Sequence, residues 1–450
     1  MLFEVNMDQK IKDFTSGPIL GPLLAFSMPI LLALFLQALY GAVDLLIVGK
    51  YALAADVSGV AVGSQMMATI TNLVSSFAMG TLLGQNIGAG NRQAGGQIIG
   101  TSIVMFLIVG LLLTALTPLL SGTLAGLMNA PEEAFDETSR YISICGLGSI
   151  MIVAYNVLGS IMRGLGDSKT PLMTVAIASV FNIFGDLFLV AGLHMGAAGA
   201  AITTVASQTI SVLISLAILR HRSLPFDFSM KDIRIDSLIT RKIIRFGTPI
   251  ALQDLLVGLS FLVILAIVNT LGLIASAGVG VAEKVCGFIM LIPSAFMQAM
   301  SAYVAQNHGG GRNERAEQGL KIAILVSTAF GLVMFCLSFF HGDLLCSIFA
   351  RDNDVIAAGY DYLKAYGIDC LLTCFLFCFI GFFNGLGETK FVMIQGIAAA
   401  FLIRIPVAWW MSWTTGRLFY IGLGIPCATV VQILACFLFY RRIKIRYGII

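Results

Sequence analysis

Acids set inside long apolar stretches are the residues of this 450-residue chain with chemistry to offer. An Asp at the centre of a membrane helix costs roughly 2.5–3.5 kcal/mol on insertion scales, so it faces protein or water and has partners. Asp44 lies in the first apolar stretch, with Gln37 and Tyr40 spaced from it by seven and four residues on one helix face. Asp186 lies in the fifth stretch, about 22 Å of helix beyond Pro171, and Asn182 precedes it by one turn on the same face. The two acids therefore fall at similar depth. Two carboxylates close together in low dielectric cannot both be ionised cheaply. Such a pair holds a proton, or binds Na⁺ when both are deprotonated, with Asn182 as a neutral acceptor. The plainer alternative is that each Asp bonds a neighbouring helix.

Other polar positions are weaker candidates. Gln65, Thr69, Asn72 and Ser76 make a polar face suited to line a cavity, although polar side chains also pack helices together. Met66, Met67, Met79, Met290, Met297 and Met300 suit an adaptable apolar wall or ordinary packing. Asp254, Glu283, Lys284, Asp369 and Arg404 lie within later stretches. Glu283 and Lys284 are adjacent and cannot face each other on a helix, so a structural ion pair with another group is expected for Glu283. Asp369 is a candidate for the cavity. Among nine cysteines, Cys370, Cys374 and Cys378 recur every four residues, which reads as core packing rather than a metal site. Cys346 is expected to be exposed in an outer loop.

The elements that position these residues follow from composition. Hydrophobic residues make up 58% of the chain and charged residues 11%, against roughly 25% charged in a soluble domain. Lipid must be the solvent for most of it. The apolar stretches run for about 20 residues or more, which excludes the roughly ten-residue strands of a barrel. Twelve spans are expected, at about 19–49, 57–87, 98–120, 138–162, 171–193 and 197–219, then 246–270, 278–306, 322–345, 358–383, 391–412 and 421–440. Pro29 and Pro249 are expected to kink their helices. The polar N-terminal tail, with Glu4, Asp8, Lys10, Lys12 and Asp13, does not read as a signal peptide.

Basic residues orient the spans. With the N-terminus inside, most Lys and Arg fall on the cytoplasmic side, including Arg220, Arg222, Arg241, Lys242 and Arg245 of the central loop and Arg441, Arg442, Lys444 and Arg446 of the tail. Outer loops keep Lys50, Arg351 and Arg417. Both termini are then cytoplasmic. The net charge is only +3 and the basic residues sit in short loops, so nucleic acid is not an expected partner.

An internal repeat divides the chain. Gln85-Asn86-Ile87-Gly88-Ala89-Gly90 returns as Gln306-Asn307-His308-Gly309-Gly310-Gly311, a shift of 221. Gly164-Leu165-Gly166-Asp167-Ser168-Lys169 returns as Gly385-Leu386-Gly387-Glu388-Thr389-Lys390 with the same shift. Six spans per half is an even number, so the halves enter from one side and the repeats are parallel. The expected plan is an N-terminal tail (1–18), an N-lobe (19–220), a linker (221–245), a C-lobe (246–440) and a basic tail (441–450). The Gly-Leu-Gly loops lack the Lys-Ser/Thr ending of a P-loop and follow membrane helices. No nucleotide site is visible, so an ion gradient must supply the energy.

The Gln-Asn-x-Gly-x-Gly signature, the run Arg163–Pro171, the twelve spans and the central loop together resemble the multidrug and toxic compound extrusion (MATE) family over essentially the whole chain. The resemblance implies an all-α polytopic membrane protein, with two parallel six-helix repeats forming a V-shaped transporter. It implies export of organic cations and other amphipathic drugs against inward H⁺ or Na⁺ flow. The family's first-helix Asp and fifth-helix Asn-x-x-x-Asp match Asp44, Asn182 and Asp186, with Gln37, Tyr141, Asn156 and Thr204 as looser matches around the same cavity. A monomeric transporter of the cell (inner) membrane is expected, not an enzyme, with no cofactor beyond the coupling ion. A flippase for a lipid or lipid-linked sugar and a non-transporting scaffold or receptor remain the alternatives.

Overall fold

In lipid every backbone N–H and C=O must be satisfied within its own segment, so apolar runs of this length become helices. A computed structural model of the protein describes residues 13–77, 80–221 and 224–448. The N-terminal residues before Asp13, together with Met79 and Arg222, lie outside the described residues. The described residues are α-helical, with no strands.

Twelve elements carry the fold: α1 (Leu20–Tyr51), α2 (Ala54–Gly88), α3 (Arg92–Leu119), α4 (Glu132–Leu147 with Ser149–Gly164), α5 (Lys169–Gly192), α6 (Gly196–His221), α7 (Ser237–Asn269), α8 (Leu273–Gly309), α9 (Asn313–Phe340), α10 (Asn353–Leu386), α11 (Thr389–Thr415) and α12 (Leu418–Arg446). Among the described residues, eleven helices are long and apolar enough to cross a membrane, and the bent pair of α4 makes a twelfth. That pair turns by 61°. The bend falls at Gly148, where a Cβ would overlap the Val205 side chain of α6. Pro29 and Pro249 sit inside α1 and α7, and neither interrupts its helix.

The chain forms two compact units, and their bounds differ from a simple division of the spans at the linker. One unit contains Leu32–Gly247; the other joins Phe14–Leu31 to Thr248–Ile450. The start of α1 is thus built into the second unit. There Phe14 packs on Phe26 and Tyr303, at ring separations of 5.0 and 5.5 Å, and its carbonyl accepts from Arg315 Nε at 2.8 Å. The start of α7 belongs to the first unit, where Gly247 lies directly on Phe77.

The repeated motifs are repeated turns. In the first unit, Gly90 has φ +69°, Asn91 N donates to Asn86 O at 3.0 Å, and Asn86 Nδ2 donates to Leu82 O at 2.9 Å. In the second, Gly311 has φ +71°, Arg312 N donates to Asn307 O at 2.8 Å, and Asn307 Nδ2 donates to Tyr303 O at 2.8 Å. Gly166 and Gly387 form the other matched pair, with φ +79° and +85°; each precedes a residue whose N–H closes on a carbonyl five residues back. Left-handed positions of this kind favour glycine.

The cysteines need one correction. Cys346 is fully buried, because the short helix Gly342–Ser347 folds back onto α10 and brings Cys346 Sγ against Gly359. The exposed cysteines are Cys336 and Cys427. Cys370, Cys374 and Cys378 are buried along α10, with Cys374 against Gly331 of α9.

Candidate functional site

Four helices of the first unit bring polar side chains to one place. Helix α1 presents Gln37, Tyr40 and Asp44, α4 presents Tyr141 and Tyr155, α5 presents Asn182 and Asp186, and α6 presents Thr203, Thr204 and Gln208. Asp44, Asn182 and Asp186 are 6%, 1% and 0% exposed, so water does not solvate these groups. Helix α5 changes from α to π geometry at Leu187, immediately after Asp186. Such wide turns recur at functional positions because they break the regular i→i−4 ladder.

The Asp44 carboxyl lies beside Asp186 and Asn182. The Thr203 hydroxyl donates to Asp186 Oδ1. Around this pair, Tyr141 interacts with Thr204 and stands within electrostatic range of Asp44, and Tyr40 interacts with Gln208. Gln37 Nε2 donates to the Tyr155 hydroxyl at 2.6 Å, and the Arg163 guanidinium lies close to the same tyrosine. Among the described residues, Asp44 Oδ1, Asp186 Oδ2 and both amide atoms of Asn182 are buried without a hydrogen-bond partner. Leaving such atoms unsatisfied costs roughly 1–3 kcal/mol each, and more when charged. A proton or a small hard cation shared by the carboxylates would offset that cost, since carboxylate, amide and hydroxyl oxygens are hard donors. No group of three or more His, Cys, Asp or Glu side chains among the described residues is placed to hold a metal ion.

The remaining expected residues divide. Gln65 and Asn72 are exposed on α2, and Asn156 turns its amide back onto Ile152 O at 2.9 Å. Asp369 belongs to the second unit, where it is buried and accepts from Thr373 Oγ1 at 2.9 Å and Thr429 Oγ1 at 2.5 Å. Nearby, Arg404 donates to Ser260 Oγ at 2.9 Å and lies over the Phe261 ring at 4.4 Å. Glu283 is in none of the ion pairs among the described residues, contrary to expectation; it stands near Cys286, Tyr362 and Tyr366 instead. Sequence reasoning missed Thr203, Tyr155 and Gln208. The available signal was position: each sits in an apolar span beside or one turn from a residue already singled out.

Helical spans in two compact units, with ionisable groups sunk inside each of them, define a polytopic α-helical membrane protein. The MatE family model matches residues 29–188 and 249–410, and the chain belongs to that family. It is 28% identical to the probable multidrug resistance protein YpnP of Bacillus subtilis, over 96% of this chain and 97% of that one. It is 23% identical to the multidrug export protein MepA of Staphylococcus haemolyticus, over 96% of each. An outward-facing structure of a multidrug resistance MATE family transporter of the MOP superfamily superposes with a TM-score of 0.90 at 21% identity, covering 98% of this chain and 99% of that one.

Proposed function

We propose that this protein is a secondary antiporter that exports amphipathic or cationic small molecules in exchange for inward H⁺ or Na⁺. The observation that carries the reading is the buried pair Asp44 and Asp186 with Asn182 beside it, holding polar atoms that have no hydrogen-bond partner among the described residues. Names of the relatives support the cargo class, since YpnP and MepA are described as multidrug resistance and export proteins.

Taking up H⁺ or Na⁺ lowers the negative charge of the pair, and releasing it restores that charge. A cationic cargo binds better to the charged state, so ion and cargo compete for one electrostatic niche. Binding shifts an equilibrium between inward- and outward-open forms only by its differential affinity for them. Alternating access with an ion on one stroke and cargo on the other is the resulting cycle. The placement supported by the basic loops is the cell (inner) membrane with both termini cytoplasmic.

The test is dye export from proteoliposomes under an imposed pH gradient or Na⁺ gradient, each in turn. One gradient should drive export, and Asp44→Asn should abolish it while the protein still reconstitutes. Unchanged export in that variant, or export without any gradient, would overturn the reading. Lipid headgroup translocation without dye export would replace it with a flippase.

A further inference from the structure

A cavity lies in the first unit, and its lining includes none of the side chains of the carboxylate cluster. Its volume is about 690 Å³, and its walls come from α3, α4 and α6, with Ile103, Leu107, Ala154, Val157 and Leu216 among them. Ile103, Leu107 and Leu216 are exposed, so the mouth opens toward the membrane. The linker forms the far wall through Leu224, Phe226 and Phe228.

That wall is anchored. Phe226 lies on Gly95, and the backbone carbonyls of Asp227 and Asp232 press on Gly96 and Gly100, where a Cβ would overlap them. Asp232 Oδ2 in turn accepts from Ser229 N at 2.8 Å and Ser229 Oγ at 3.0 Å, closing the turn. The glycines of α3 thus let the linker approach at backbone distance and seal one end of the cavity.

Among the described residues, one charged residue lines this apolar space. Arg220 occupies the last turn of α6, is exposed, and takes part in none of the ion pairs among the described residues. A pocket of roughly 300–1,000 Å³ is of ligand size. An apolar slot open to lipid, capped by the Arg220 guanidinium, complements a molecule with a hydrocarbon tail and a phosphate. Guanidinium forks match phosphate oxygens in bidentate geometry.

We propose that this cavity binds an anionic phospholipid, with an acyl chain between α3, α4 and α6 and the headgroup phosphate on Arg220. The linker and three helices of the unit are thereby held together by a membrane component.

The experiment uses the full-length protein in detergent, with native mass spectrometry of retained dioleoyl phosphatidylglycerol and dioleoyl phosphatidylcholine. Wild type should retain the anionic lipid about fivefold better, the effect expected of roughly one basic residue at a membrane surface. Arg220→Gln should erase that preference while leaving phosphatidylcholine retention unchanged. Ala154→Phe, which fills the slot, should lower retention of both lipids; Leu107→Trp at the mouth serves if the first variant does not fold. An unaltered preference in Arg220→Gln would overturn the proposal, as would undiminished retention in a folded, filled variant. Displacement of phosphatidylglycerol by a transported dye would reassign the cavity to cargo and also overturn it.

Discussion

The Thr203 hydroxyl on α6 donates to Asp186 Oδ1 on α5, while Asp186 Oδ2 has no hydrogen-bond partner among the described residues. One oxygen is tethered and the other is left for the neighbouring Asp44. Hydrogen bonds to charged groups contribute roughly 1.5–3 kcal/mol. Thr203→Val keeps the shape and removes the donor. Gradient-driven dye export should fall by about tenfold or more, with reconstitution yield unchanged, and Thr203→Ser should recover most of it.

Gln37 and Tyr155 tie α1 to α4 at 2.6 Å. A neutral bond of this kind contributes roughly 0.5–1.5 kcal/mol. Tyr155→Phe and Gln37→Leu should each lower transport severalfold, and the double variant should be no worse than the more impaired single one. Additive losses in that cycle would show that the two side chains act separately.

The glycine face of α3 offers a stability test. Gly100→Ala forces a methyl group into the Asp232 carbonyl, and overpacking of this kind costs roughly 1–3 kcal/mol. Melting temperature in detergent should drop and the linker should become sensitive to protease. Gly258→Ala in α7, where a Cβ meets nothing within 4 Å, should leave both unchanged.

Asp167 starts α5 by accepting from Lys169 N at 3.0 Å, Thr170 N at 3.1 Å and Thr170 Oγ1 at 2.6 Å. Asp167→Ala should destabilise the fold by about 1 kcal/mol, as lost caps do. Asp167→Asn, which keeps an acceptor, should recover most of that in the same melting assay.

Much of the architecture was legible because lipid allows few solutions: apolar runs of this length must be helices. The bend of α4 was not, since it depends on Val205 of α6 lying against Gly148. Asp44, Asn182 and Asp186 were legible because an acid in an apolar helix is conspicuous, and spacing placed Gln37 and Tyr40 beside Asp44. Thr203 was not. It is an ordinary small polar residue next to Thr204, and only the packing of α5 against α6 distinguishes the two. Cys346 was misread for a similar reason: its position after an apolar run suggests a loop, whereas its burial comes from contacts with α10. The central linker reads as a charged cytoplasmic loop, and its docking was not legible: Phe226 and Asp227 lie on Gly95 and Gly96.

The paired turns at Gly90 and Gly311, and at Gly166 and Gly387, imply an ancestral duplication whose copies kept their turns and lost their chemical likeness. Shifted by 221 residues, Asn182 and Asp186 fall on Ile403 and Val407; shifted by 220, as Pro29 is to Pro249, Asp44 falls on Ile264. One copy specialised in carrying polar groups where the other has hydrocarbon. Grafting acids onto Ile264 and Val407 would give both copies the same acids, a direct way to ask how many ions a doubled scaffold of this kind exchanges per cycle.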